Sequence, residues 1–166
     1  MGIRKAETKD LSRIAEIFVF NNRINYFLIF QDAEYSFGEL QVVSFIDQYL
    51  KKEEVLDQIY VFDDGLLKGF VQVKGREICK LYVDPWFQSE GIGNELITFA
   101  IREFEADYLW ALEKNVRAVR FYHRHGFLET GQREFEKGTT EYLIELRRQE
   151  RGPYDRKGKN VAADDV

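Results

Sequence analysis

The chain has 166 residues, 45% hydrophobic and 15% aromatic, which suits one folded domain with a single core and excludes a disordered chain. A formal net charge of −5 argues against a general nucleic-acid surface, and the single cysteine, Cys79, excludes an internal disulfide framework. No apolar run has the length of a membrane span or a secretory leader, so a soluble, cytoplasmic protein without membrane or nucleic-acid partners is expected.

In chain order, Ile3 to Glu7 reads as a short edge strand, and Thr8-Lys9-Asp10 offers capping chemistry. Leu11, Ile14, Ala15, Ile17 and Phe18 then recur at helical spacing. The greasy run from Tyr26 to Phe30 continues or ends that helix. A second helix is predicted over Phe37 to Lys52, with Ser36 as its N-cap. The period then changes. Gln58–Phe62, Lys68–Val73 and Glu77–Val83 read as three consecutive strands, with Asp63-Asp64-Gly65 and Lys74-Gly75-Arg76 as turns. Asp84-Pro85 ends the third, because proline cannot donate to a ladder. Leu96, Ile97, Ala100, Ile101 and Phe104 form the stripe of a further helix. A short strand, Tyr108–Leu112, precedes a helix from Asn115 to Arg124 that Gly126 stops. Two strands follow, around Phe127–Phe135 and Thr140–Leu146. Residues 1–148 make one domain, and the polar tail 149–166 is expected to be flexible. The pattern is a mixed α/β (α+β) fold with a largely antiparallel sheet.

The segment Gln88-Ser89-Glu90-Gly91-Ile92-Gly93-Asn94 joins a strand to a helix. The first backbone N–H groups of a helix lack internal partners, and the helix dipole adds positive potential there, so such a junction suits an anion. Glycines at 91 and 93 leave the backbone open to a phosphate. Leu96 stands where a dinucleotide fingerprint wants its third glycine, and no Gly-Lys-Ser/Thr triplet occurs. A metal is not expected: His123 and His125 are the two histidines, and both lie in a charged stretch.

The pattern Gln-x-x-Gly-x-Gly after Leu-Tyr-Val-Asp-Pro resembles the pyrophosphate loop of the GNAT superfamily of N-acetyltransferases. Asn115-x-x-Ala118-x-x-Phe121-Tyr122 is similar to its second signature, with Asn115, Ala118 and Tyr122 on one helical face. The resemblance covers Glu77 to Phe127 closely. It implies a GNAT fold with two splayed central parallel strands and acetyl-coenzyme A as cofactor. The implied cofactor-binding set is Leu81, Tyr82 and Val83 on the third strand, Gln88, Ser89, Glu90, Gly91, Ile92, Gly93 and Asn94 in the loop, and Asn115, Ala118 and Tyr122 on the later helix. Val83 N–H is the implied oxyanion donor, Asn115 the donor to the pantetheine arm, and Tyr122 the general acid. Glu77, eleven residues before Gln88, matches the spacing of the catalytic glutamate in histone-acetylating members. Glu90 stands where the family commonly carries a basic residue. It must point outward, which leaves a phosphate site dominated by the backbone.

The implied reaction is transfer of acetyl to a primary amine on a small molecule or peptide, by a monomer or homodimer. Phe27, Phe30, Tyr35 and Phe37, interleaved with Asp32 and Glu34, read either as core aromatics or as an aromatic and acidic wall that holds an amine, in the region that shapes the acceptor pocket in the family. The alternatives are a non-catalytic acyl-coenzyme A sensor on the same fold and a nucleotide-binding protein using the Gly91–Gly93 turn.

Overall fold

The computed structural model describes residues 2–149. The tail read from Gln149 onward lies, after its first residue, outside them. Seven strands form one sheet: β1 (Gly2–Lys5), β2 (Ile59–Asp63), β3 (Leu67–Lys74), β4 (Glu77–Val83), β5 (Tyr108–Leu112), β6 (Phe127–Phe135) and β7 (Tyr142–Arg148). Their order is β1-β2-β3-β4-β5-β7-β6. Every neighbouring pair is antiparallel except β4 and β5.

Among the described residues, six α-helical segments flank the sheet: α1 (Leu11–Asn25), α2 (Phe27–Phe30), α3 (Val42–Phe45), α4 (Glu53–Leu56), α5 (Ile92–Phe104) and α6 (Val116–Arg124). Two hydrophobic cores fill the space between layers. On one face Leu96, Ile97 and Ala100 of α5 meet Val71, Leu109, Phe127 and Leu146. On the other, Leu11, Ile14 and Ile17 of α1 meet Val61, Phe70 and Leu50. β3 is buried along most of its length because helices cover both of its faces. Gly69 permits this closeness: a Cβ there would lie 2.9 Å from the Tyr82 carbonyl oxygen and 3.1 Å from Leu96 Cδ1.

The predicted second helix is not continuous. Residues 34–39 form a wide turn of π type, Leu40 and Gln41 are extended, and α3 then starts and passes into a second wide turn at Ile46–Leu50. Gly38 weakens the first half, while Gln41 N–H donates to Ser44 Oγ at 3.1 Å and restarts the helix. Gln41 is thus the cap, and Ser36 is buried inside the wide turn. Tyr35 and Phe37 are 45% and 51% exposed, so they are not core aromatics; Arg23 lies over the Phe37 ring at 5.6 Å.

Candidate active site

β4 and β5 share one paired position, Glu77 with Tyr108. Beyond it the two parallel strands part. Asp84 N–H donates to Lys68 O at 2.8 Å, so the register of Gly69 opposite Val83 makes Phe70–Tyr82 a bonded pair. The N–H groups of Leu81 and Val83 therefore point away from β3, into the opening beside β5. A cleft of about 730 Å³ occupies this opening. Leu81, Tyr82 and Val83, residues 88 to 94, and Asn115, Ala118 and Tyr122 all line it.

The loop that follows β4 is built on strained backbone. Ser89 and Gly91 have φ of 68° and 83°. At Gly91 a Cβ would meet nothing within 4 Å, so backbone conformation, not space, calls for glycine there. Gly93 differs: its Cβ would lie 3.4 Å from the Phe121 ring, at the edge of ordinary contact, where α6 packs against the start of α5. Gly91 caps the thirteen-residue α5, whose first N–H groups open on the cleft. The Gln88 side chain turns inward: its Nε2 donates to Asn21 Oδ1 and to Val83 O, each at 3.2 Å. Asn21, buried on α1, donates from Nδ2 to Val83 O at 3.0 Å and to Ile17 O at 2.8 Å. Helix, strand end and loop are tied at this one point. Glu90 is exposed, and its charge is felt by Lys68 outside the loop.

Across the cleft, Asn115 caps α6 by accepting from Ala118 N–H at 3.3 Å, which leaves its amide nitrogen to donate. Tyr122 lies one helical turn beyond Ala118. Burial pushes its phenol well above the usual range, as does the nearby phenol of Tyr26, so the hydroxyl stays protonated. Tyr26, at the end of α1, shares a hydrogen bond with Tyr82 at 3.2 Å. Burial likewise raises both of these phenols. Three neutral tyrosines thus surround the middle of the cleft. His125 Nδ1 lies 2.9 Å from Phe121 O and Nε2 lies 2.7 Å from Asn94 Oδ1. Burial lowers the pKa of His125. A neutral ring that donates from Nδ1 must accept at Nε2, which requires the Asn94 amide turned to present its nitrogen.

A family model, the acetyltransferase (GNAT) domain, matches residues 34–143. The chain belongs to this family. It is also 32% identical over 76 residues to the peptidyl-lysine N-acetyltransferase YjaB of Salmonella typhimurium strain LT2, covering 46% of this chain and 52% of that protein. The chain thus spans about half the length of this curated relative. Among solved structures, apo YjaB from Escherichia coli superimposes with a TM-score of 0.70 at 22% identity, over 87% of this chain and 95% of that one. PH1933 from Pyrococcus horikoshii OT3 gives 0.65 at 20% identity, over 89% and 98%. At such identities the likeness speaks for the fold.

Against this family background, two departures from simple strand reading matter. Gln72 pairs with Lys80 but Val73 pairs with Ile78, so Cys79 is an extra residue, a β-bulge. Strict alternation would put Glu77 and Cys79 with Leu81. The bulge instead puts Glu77 on the α1 face with Lys80 and Tyr82, while Leu81 and Val83 pack on the α5 face. Glu77 itself sits at the closed end of the opening and is not part of the cleft wall. The second departure is positive charge. Arg117 and Arg124 of α6 line the cleft, and neither forms an ion pair among the described residues. They supply the cationic character that Glu90 withholds. Their i, i+7 spacing on a helix beside the loop is the signal that could have found them.

Proposed function

We propose that this GNAT-family chain transfers acetyl from acetyl-coenzyme A to a primary amine by direct attack. A lysine amine, the acceptor in the name of the YjaB relative, is one such amine. The observation that carries the reading is the single paired position between β4 and β5. It leaves a row of strand donors facing a cleft that runs from the first turn of α5 to Tyr122. The same residues fit the cofactor chemically: N–H groups at the start of α5 and two arginines without an ion pair among the described residues for the anionic half, and Ala118 beside the arm.

The bound cofactor supplies the acetyl group as a thioester and the leaving thiolate. The residues of the chain do the rest. N–H groups at the start of α5, with Arg117 and Arg124, hold phosphate oxygens. Leu81 and Val83 present N–H groups to the amide and acyl carbonyls, and Val83 is the donor to the developing oxyanion. Tyr122 gives its proton to the departing sulfur as the carbon–sulfur bond breaks. Glu77, on the α1 face at the closed end of the opening and outside the cleft wall, would reach the amine only through water and would take the proton that the amine loses.

The test is thiol release from acetyl-coenzyme A in the presence of a lysine-containing peptide. Tyr122→Phe should lower kcat by about 100-fold, the ordinary range for losing a positioned acid. Folding stability should hold, because burial and the Tyr26 phenol, not a hydrogen bond, account for the state of the hydroxyl. Cofactor binding without thiol release for any amine would defeat the transfer reading.

A further inference from the structure

The α1 face of the cleft holds a cation that the transfer chemistry leaves unused. Lys80 lies in the middle of β4, a central strand of the sheet. Its ammonium sits 4.7 Å over the Tyr49 ring and 5.5 Å from the Phe18 ring centre. Tyr49 and Phe18 are themselves linked through Phe45 by stacked contacts, so the cation rests on a rigid aromatic floor. Among the described residues no carboxylate lies within ion-pair distance of it. Burial lowers the pKa of the ammonium, and Glu136 and Glu77 counter this through space without pairing with it. A half-buried charge without a partner is costly on a central strand. Lys80 also lines the cleft, together with Tyr26, Cys79 and Tyr82.

Position gives this charge a meaning. Lys80 and Tyr82 flank Leu81 in sequence, and their side chains leave the strand on the side opposite to Leu81. Whatever amine attacks a carbonyl held at Leu81 or Val83 approaches across these two side chains. Resting on the proposed acetyl transfer, we propose that Lys80 anchors a carboxylate of the acceptor, so that the acceptor is an amine bearing its own carboxylate: a free amino acid or a C-terminal residue. Lys80 is part of the cleft wall, its ammonium rests on Tyr49 and Phe18 behind that wall, and no acidic group among the described residues closes on it. An incoming carboxylate takes the place that an internal partner fills in a structural ion pair.

The experiment compares matched acceptors by thiol release at saturating acetyl-coenzyme A. Each of several free amino acids, and Nα-acetyl-lysine, is measured against its own amide. The wild-type chain should favour the carboxylate over the amide by about 10- to 100-fold in kcat/KM, the range of a hydrogen bond to a charged group. Lys80→Met should erase that preference through KM, with the amides unchanged and the KM for acetyl-coenzyme A unchanged. Lys80→Arg, which keeps the charge, should restore most of the preference and shows that the fold tolerates change at this position. Equal rates for carboxylate and amide in the wild type overturn the proposal while leaving acetyl transfer standing. So does a loss in Lys80→Met that falls on kcat for both members of each pair, which makes Lys80 a proton acceptor instead. Absence of thiol release with every amine refutes the transfer reading itself, and the anchor with it.

Discussion

The junction at Asn21 gives the sharpest check on how the loop is held. Asn21→Leu keeps the branch point and the number of side-chain heavy atoms, so no cavity opens. Three hydrogen bonds disappear: Nδ2 to Ile17 O, Nδ2 to Val83 O, and the acceptance from Gln88 Nε2. The first matters little, because Ile17 O keeps its helical partner. Val83 O keeps Gln88 Nε2 at 3.2 Å. Two bonds between elements are therefore lost, at about 1 kcal/mol each, or about 2 kcal/mol in all. For a domain of this size that lowers Tm by about 4–8 °C. The loop loses its tether to α1 as well, so KM for acetyl-coenzyme A should rise by about tenfold, the equivalent of roughly 1.4 kcal/mol. Denaturant titration gives the first number and thiol release the second. In a double-mutant cycle with Gln88→Met the two changes should couple by about 0.5–2 kcal/mol. A stability change under about 0.5 kcal/mol, typical of a plain surface substitution, with an unchanged KM refutes the reasoning.

Three further outcomes are expected. Arg117→Gln with Arg124→Gln should raise KM for acetyl-coenzyme A, steepen little with added salt compared with the wild type, and leave kcat alone; calorimetry at two ionic strengths checks this. Gly69→Ala should cost about 2–3 kcal/mol, because the obstructing atom is the Tyr82 carbonyl oxygen and not a movable side chain end; an unshifted denaturation midpoint counts against it. The Arg4 guanidinium bonds Asp10 at 2.8 Å and Asp63 at 2.7 Å and holds both carboxyls below their ordinary range. Their folded pKa values are depressed, so this stabilisation is complete above the ordinary carboxyl pKa of about 3.9 and fades as pH falls below it. Arg4→Met should flatten the acid side of the stability curve from about pH 4 downward, read by thermal melts across pH.

Much of the framework of the candidate site was legible because the signals that place its strands and helices are local. The β4 and β5 bounds follow from apolar runs flanked by Gly, Asp and Pro, and α6 from Asn115, Ala118 and Tyr122 on one face. What escaped reading depends on neighbours far along the chain. The bulge at Cys79 is invisible in the run Ile78-Cys79-Lys80-Leu81, since an extra residue in an apolar strand leaves no trace in composition; it shows only in the pairing with Gln72 and Val73. Asn21 sits among apolar residues of α1 and acquires its role from Gln88, 67 positions later. Lys80 reads as a solvated charge until Phe18 and Tyr49 close beneath it. The helix predicted over residues 37–52 has the right apolar residues, yet Gly38 and the Gln41–Ser44 cap divide it.

The parting of β4 from β5 also bears on how the protein endures between encounters with its ligand. Sheets ordinarily keep their unpaired edges at the rim, where short strands and charges guard them. This chain carries one at its centre, inside a cleft walled by residues of α1, α5 and α6. A ligand that completes the row binds the native state alone, and at a hundredfold excess over Kd it adds about 2.7 kcal/mol of stability. The lifetime of the folded chain is then a function of how much donor surrounds it. Purified without that donor, it should be at its most fragile and its most prone to self-association.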